Sequence, residues 1–97
     1  MSESVSAKQV ALVTGASRGI GKAIAQTLAA RGYVVVGTAT TDNGAQGITE
    51  ALSAYAGSKG AVLNVTDVVA TDAVVDAIVK EHGALHVLVN NAGITRD

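Results

Sequence analysis

The chain has 97 residues, 48% of them hydrophobic and 15% charged, with a formal net charge of −1. This describes at most one globular domain, too apolar for a disordered segment and too nearly neutral for the basic footprint of a nucleic-acid or anionic-membrane binder. The absence of cysteine excludes a disulfide framework, a thiolate metal site and a cysteine nucleophile.

Four short apolar runs alternate with three amphipathic stretches. Val10-Ala11-Leu12-Val13 is continuous and β-branched, which predicts a first strand buried on both faces. A glycine-rich turn follows, with Ser17 as the candidate N-cap of a first helix carrying Ile20, Ile24 and Leu28 on one face. Gly32 is placed to end that helix in a left-handed cap. Val34-Val35-Val36 predicts a second strand closing at Gly37. Asp42 or Asn43 then opens a weaker helix with Ala45, Ile48, Leu52 and Tyr55 on one face, ended by Gly57. Gly44 and Gly47 each cost that helix about 1 kcal/mol relative to Ala. Ala61-Val62-Leu63 is the third strand. Asp67 or Thr71 caps a third helix whose inward stripe is Val74, Val75, Ile78 and Val79, and Gly83 ends it. Leu85 to Val89 is the fourth strand.

The order β-α-β-α-β-α-β, with short connections throughout, implies an α/β fold: a parallel sheet with right-handed crossovers, one half of a doubly wound architecture. No apolar run approaches the ~20 residues of a membrane span, and the opening MSESVSAKQ has no apolar leader region, so the expectation is a soluble cytoplasmic protein.

The strongest local signal is Thr14-Gly15-Ala16-Ser17-Arg18-Gly19-Ile20-Gly21, between the first strand and the first helix. A pyrophosphate binds well at a helix N-terminus, where unpaired N–H groups and the helix dipole favour an anion. Gly15 suits the tight exit from the strand, Gly19 a backbone approach to phosphate, and Gly21 close packing of helix on strand. The spacing is G-x-x-x-G-x-G rather than the commoner G-x-G-x-x-G.

TGASRGIG followed late in the chain by NNAG resembles the short-chain dehydrogenase/reductase family, over Gln9 to Asp97. The resemblance implies a Rossmann-type doubly wound sheet, with residues 1–97 forming the dinucleotide-binding part of a single domain. It assigns Gly15, Ala16, Ser17, Arg18, Gly19, Ile20 and Gly21 to the cofactor loop. NAD-preferring sites place an acid at the end of the second strand. Here that region reads Val36-Gly37-Thr38-Ala39-Thr40-Thr41, and the first acid is Asp42. With Arg18 in the loop and Thr40 at the position resembling the family's phosphate contact, the expected cofactor is NADP(H).

The same resemblance puts Asn64 and Val65 beside the adenine, with Asn64 where the family often has an acid. It puts Asn91, Ala92 and Gly93 beside the cofactor's ribose, with Asn90 as a structural residue. Asp67 reads as a helix cap. Tyr55 and Lys59 match the family's catalytic Y-x-x-x-K spacing, but Gly57 interrupts the helix and the pair falls at the amino edge of the sheet, so it is not assigned to catalysis. His82 and His86, split by Gly83, are not assigned to a metal.

The catalytic Ser, Tyr and Lys of the family would lie beyond Asp97, so the segment is expected to be inactive alone. It reads as the N-terminal part of a longer enzyme, its fourth strand left with an unpaired apolar edge prone to aggregation. VGTATT and NNAGITRD most resemble the 3-oxoacyl-[acyl-carrier-protein] reductases within the family. That implies an acyl-carrier-protein thioester as substrate and partner, a role in fatty-acid synthesis, and a homotetramer. A non-catalytic nucleotide-binding module and a reductase of another ketone or alcohol are the alternatives.

Overall fold

The computed structural model describes residues 8–92. The elements are β1 (Val10–Val13), α1 (Gly19–Ala30), β2 (Val34–Ala39), α2 (Asp42–Ala51), β3 (Lys59–Val62), α3 (Val68–His82) and β4 (Val87–Val89). All four strands are parallel, in the order β3-β2-β1-β4. This is the Rossmann-type half-sheet expected from the alternation of strands and helices. The chain builds outward from β1 to β3, then crosses back to place β4 on the other side of β1. The carboxyl ends of β1 and β4 therefore flank the point where the strand order reverses, the place where open α/β sheets bind ligands.

Both central strands are fully buried, so they need apolar residues on both faces. Ala11 and Val13 of β1 and Val35 and Ala39 of β2 turn toward α1 and α2, meeting Ala25, Ala29, Ile48 and Leu52. Val10, Leu12, Val34 and Val36 turn the other way, onto Ile78 of α3. The near absence of aromatic residues follows from this close seating of helices on strands. The edge strands are only partly covered, and Leu88 of β4 is 59% exposed. Among the described residues β4 pairs with β1 alone.

The helix ends follow local chemistry. Gly32, at φ +99, donates its N–H to the Ala29 carbonyl while Tyr33 donates to that of Leu28, a Schellman closure of α1. Gly83, at φ +90, closes α3 in the same left-handed region, and the Asp67 carboxylate caps that helix by accepting from Ala70 N–H at 3.0 Å.

Several boundaries differ from those read in the sequence. β2 runs on through Gly37 to Ala39, because Gly37 lies under Ile48 of α2, where a side chain would collide. The cap of α2 is Thr41, whose hydroxyl accepts from Gly44 N–H, rather than Asp42 or Asn43. That helix ends at Ala51, so Tyr55 lies in the following turn, still partly buried against the core, and Gly57 sits beyond the helix. β3 is Lys59–Val62, although Leu63 N–H still reaches the Ala39 carbonyl at 2.8 Å. β4 begins at Val87 rather than Leu85. Val79 is 40% exposed and does not belong to the inward stripe of α3.

Candidate functional site

The carboxyl ends of β1 and β4 are joined by a dense set of hydrogen bonds. Thr14, which leaves β1, is 3% exposed, and its N–H donates to the Val89 carbonyl at 3.0 Å. Its hydroxyl accepts from Ala92 N–H at 3.0 Å, and its single proton faces the Val89 carbonyl at 3.4 Å and Asn90 Oδ1 at 3.3 Å. Asn91 Nδ2 donates to the Gly15 carbonyl at 3.0 Å. On the other side, Ala16 N–H donates to the Thr38 carbonyl at 2.8 Å, tying the loop to β2.

Two glycines make this arrangement possible. Gly15 stands at φ +63, and a Cβ there would come within 3.1 Å of the Ala92 backbone and the Asn91 amide. A Cβ on Gly21 would collide with the Gly15 carbonyl oxygen. The first turn of α1 thus lies directly on the loop, with the carbonyl and the Asn91 amide tucked against it.

α1 starts at Gly19, with Arg18 as the N-cap residue at φ −162 and ψ 170. This corrects the assignment of Ser17. Arg18 makes no side-chain cap, and the first turn contains no acid. The positive end of the helix dipole therefore meets no competing carboxylate or capping hydroxyl of its own, and its first-turn N–H groups remain available to an anion. Gly19, at φ +63, has nothing within 4 Å of the position its Cβ would occupy, so the backbone itself forms the open wall.

These elements enclose a cleft of about 440 Å³, within the size range of small-molecule sites. Gly15, Ser17, Arg18, Gly19 and Ile20 form one wall; Ala39 and Thr40 at the end of β2, with Leu63, form the second; Asn91 and Ala92 close the third. Eight of the residues singled out in the sequence therefore meet at one cleft. Ala16 and Gly21 are buried behind its wall. Asn64 and Val65 do not line it. The Asn64 Oδ1 is taken up locally, accepting from Thr66 N–H at 3.1 Å and the Thr66 hydroxyl at 2.8 Å. Gly93 lies outside the described residues.

The two asparagines share the structural work. Asn91, expected to face the cofactor, lines the cleft and also holds the loop, while Asn90 meets the Thr14 hydroxyl. The sequence assigned no site role to Thr14, which opens the loop motif, to Ala39, or to Leu63, which it placed in the third strand. A threonine directly after a fully buried strand was a signal for Thr14, since a hydroxyl there needs partners. Nothing local marks Ala39 or Leu63.

The motif-like pairs elsewhere stay apart from the cleft. Lys59 is the first residue of β3, opposite Val36, and its ammonium pairs with Glu81 at 3.2 Å. The adjacent Ser58 hydroxyl accepts from Val35 N–H, which places this turn at the amino end of β2. His86 Nδ1 accepts from Val10 N–H at 2.9 Å, and His82 Nε2 lies 3.8 Å from Glu81 Oε1. No group of three or more potential metal ligands occurs among the described residues, and none of the described helices is long and apolar enough to cross a membrane.

Comparison with known proteins bears on the same residues. A family model described as short chain dehydrogenase matches residues 9–97. The chain is 60% identical over 89 residues to the 3-oxoacyl-[acyl-carrier-protein] reductase FabG of Escherichia coli (strain K12). It is 57% identical over 89 residues to the reductase of that name from Salmonella typhimurium, and 52% over 91 residues to that from Pseudomonas aeruginosa. Each match takes in 92% of this chain and 36% of the relative, so the chain spans about a third of the length of the curated relatives it matches.

Proposed function

Given that the chain belongs to the short chain dehydrogenase family, we propose that residues 1–97 are the dinucleotide-binding part of a single Rossmann-fold domain in an NADPH-dependent reductase. The substrate in this reading is a 3-oxoacyl thioester of acyl carrier protein, reduced to the 3-hydroxyacyl form in fatty-acid synthesis. The support is the similarity to proteins of that name over the whole of the matched segment. A cytoplasmic homotetramer, with the catalytic residues following Asp97, belongs to the same reading.

The observation that carries the cofactor assignment is the composition of the cleft's second wall. β2 ends in Ala39 and is followed by Thr40, neither of them acidic, and Arg18 lines the same cleft. A carboxylate at the strand end would accept from a ribose 2′-hydroxyl and repel a 2′-phosphate. A guanidinium and a hydroxyl instead donate to the phosphate. Asp42, the first acid, is the first residue of α2 and does not line the cleft.

The residues fit the group. Open space at Gly19 admits a pyrophosphate against the backbone, and the uncapped first turn of α1 offers it N–H donors. Gly15, Ala16, Ser17, Ile20 and Gly21 shape that wall. Asn91 and Ala92 border the nicotinamide-side ribose. Asn64 and Val65, expected beside the adenine, do not line the cleft, and Gly93, expected beside that ribose, lies outside the described residues. When bound, the nicotinamide supplies a hydride to the substrate carbonyl carbon.

The test is steady-state reduction of a 3-oxoacyl-acyl-carrier-protein thioester by the full polypeptide, followed by loss of nicotinamide absorbance. We expect kcat/KM with NADPH to exceed that with NADH by at least about tenfold. Equal use of the two cofactors would remove the NADPH assignment. Turnover of simple ketones but not of the thioester would remove the substrate, and no turnover of either would favour a nucleotide-binding module.

A further inference from the structure

α2 lies close on the sheet, with three glycines at points where side chains would collide. A Cβ on Gly37 of β2 would stand 2.9 Å from both Ala16 Cβ and Ile48 Cγ2, and one on Gly60 of β3 would collide with the Ala45 carbonyl. The third, Gly44, is in the first turn of α2 itself. Its Cβ would lie 2.7 Å from Ala39 Cβ, 3.2 Å from Thr41 Oγ1 and 3.5 Å from Ser17 Cβ. Ser17 and Ala39 are both walls of the cleft, and Thr40 stands between Ala39 and the capping Thr41.

Gly44 is therefore where helix, strand end and phosphate loop come together. Its N–H also donates to the Thr41 hydroxyl at 3.0 Å, fixing the cap next to Thr40. Gly47, one turn on, differs: nothing lies within 4 Å of its missing Cβ. The close approach is a property of position 44 and not of glycine-rich composition in α2.

We propose that Gly44 is a positioning residue for cofactor selection: its missing Cβ lets the first turn of α2 close on Ala39 and Ser17, and so sets the gap between Thr40 and Arg18 that receives a ribose 2′-phosphate. This rests on the reading that the cleft takes NADP(H). The neighbour of an added Cβ is a buried strand residue, Ala39, 6% exposed, with no rotamer into which it can retreat. The overlap is relieved by lifting the α2 N-terminus, which carries Thr41 and Thr40 with it. Ser17 at 3.5 Å is only in ordinary van der Waals contact with the added Cβ, and Gly15 and Gly19 are not among its nearest neighbours, so their wall keeps its place. Gly44 thus acts on the 2′-phosphate and leaves the pyrophosphate site alone.

The experiment is calorimetric titration of the full polypeptide with adenosine 2′,5′-bisphosphate and, separately, with ADP. The unsubstituted protein should bind the bisphosphate more tightly. If it does not, the NADP(H) reading fails, and this inference with it. In Gly44→Ala, affinity for the bisphosphate should fall by about tenfold while that for ADP stays within about twofold. An equal loss for both ligands, or none for either, would overturn the role of Gly44 while leaving the cofactor assignment intact.

Removing the colliding methyl in Gly44→Ala/Ala39→Gly should restore the preference, and failure to restore it counts against the proposal. Gly47→Ala should change neither affinity. If Gly44→Ala shows no cooperative melt, Thr41→Val serves instead: it releases the same turn without adding bulk, and should give the same selective loss. Unchanged selectivity in a folded Thr41→Val would overturn the proposal.

Discussion

The Asn91 side-chain amide and the Gly15 carbonyl oxygen meet at 3.0 Å across 76 positions of sequence, and this bond holds the glycine-rich loop to the chain just past β4. Its surroundings are part-buried, so a carbonyl that loses its donor there is poorly compensated by water. Asn91→Ala should cost about 1–3 kcal/mol of stability and weaken nucleotide binding as the loop is released. Denaturant unfolding and ADP titration on the same preparation check both. Unchanged stability would mean that the amide bond is not needed to fix the loop.

The glycines of the loop should separate into two classes. An Ala at position 21 drives its Cβ into the Gly15 carbonyl and close to the Asn91 amide, with backbone on one side and a hydrogen-bonded amide on the other. Gly21→Ala should lose roughly 3 kcal/mol or more, a cost typical of severe overpacking. Gly19→Ala meets open space but must adopt φ +63, at about 1–2 kcal/mol. Thermal melting should show Gly19→Ala folded with weakened ADP binding and Gly21→Ala largely unfolded. The reverse ranking would contradict the close approach seen at Gly21.

Thr38 is 1% exposed, and its hydroxyl has no hydrogen-bond partner among the described residues. Its backbone carbonyl, by contrast, accepts from Ala16 and stays in place under substitution. Thr38→Val keeps the shape and removes the unsatisfied polar atom, so it should raise stability by about 1 kcal/mol, measured as a shift in denaturant midpoint at constant m-value. A loss of stability would mean that the hydroxyl has a partner in solution.

Gly47 offers a second stabilising change. It lies inside α2 with open space around it and no positive φ among those found. Gly47→Ala should gain roughly 0.5–1 kcal/mol from reduced freedom of the unfolded chain. Thermal melting checks it, and a fall in midpoint would show that the position is needed empty.

Tyr55 and Lys59 carry the spacing of a catalytic pair but sit in the turn before β3 and at its amino end. Tyr55→Phe and Lys59→Ala should leave ADP affinity within about twofold. Lys59→Ala also loses the exposed pair with Glu81, which contributes well under 1 kcal/mol in such settings. A tenfold loss of affinity in either would place the pair in the binding cleft.

Much of this fold is written in short-range pattern. The continuous apolar run at Val10–Val13 needed nothing beyond its own composition to mark a doubly buried strand, and Gly32, Gly83 and Asp67 mark helix ends by local backbone and side-chain chemistry. The errors fall where tertiary packing overrides local signals. Gly37 has the look of a strand terminator, yet it continues β2 because Ile48 needs the space above it. Ser17 has the chemistry of a cap, but the chain turns one residue later and leaves the helix end open.

The cleft was legible in part for a similar reason. Gly15 to Gly21 is contiguous and announces itself, whereas Ala39 and Leu63 reach the same wall only through the strand order β3-β2-β1-β4. Asn64 illustrates the opposite case. Its family resemblance pointed outward to a base, while its own loop captures the side-chain oxygen through Thr66.

The joining of β1 to β4 also has a kinetic side. β1, β2 and β3 with their helices are linked by neighbouring connections, but the bonds from Thr14 and Gly15 to β4 close loops of 75 to 78 residues. Contacts of such long range pay their chain entropy before they are rewarded, so they tend to form late. On that ground the cleft is expected to assemble late as the protein folds and to open early. A nucleotide held between Gly19 and Asn91 would act as a clamp on that closing step, slowing unfolding more than it speeds refolding. Stopped-flow unfolding with and without saturating ADP would measure that clamp directly, and equal rates would show that β4 stays docked until the rest of the sheet has given way.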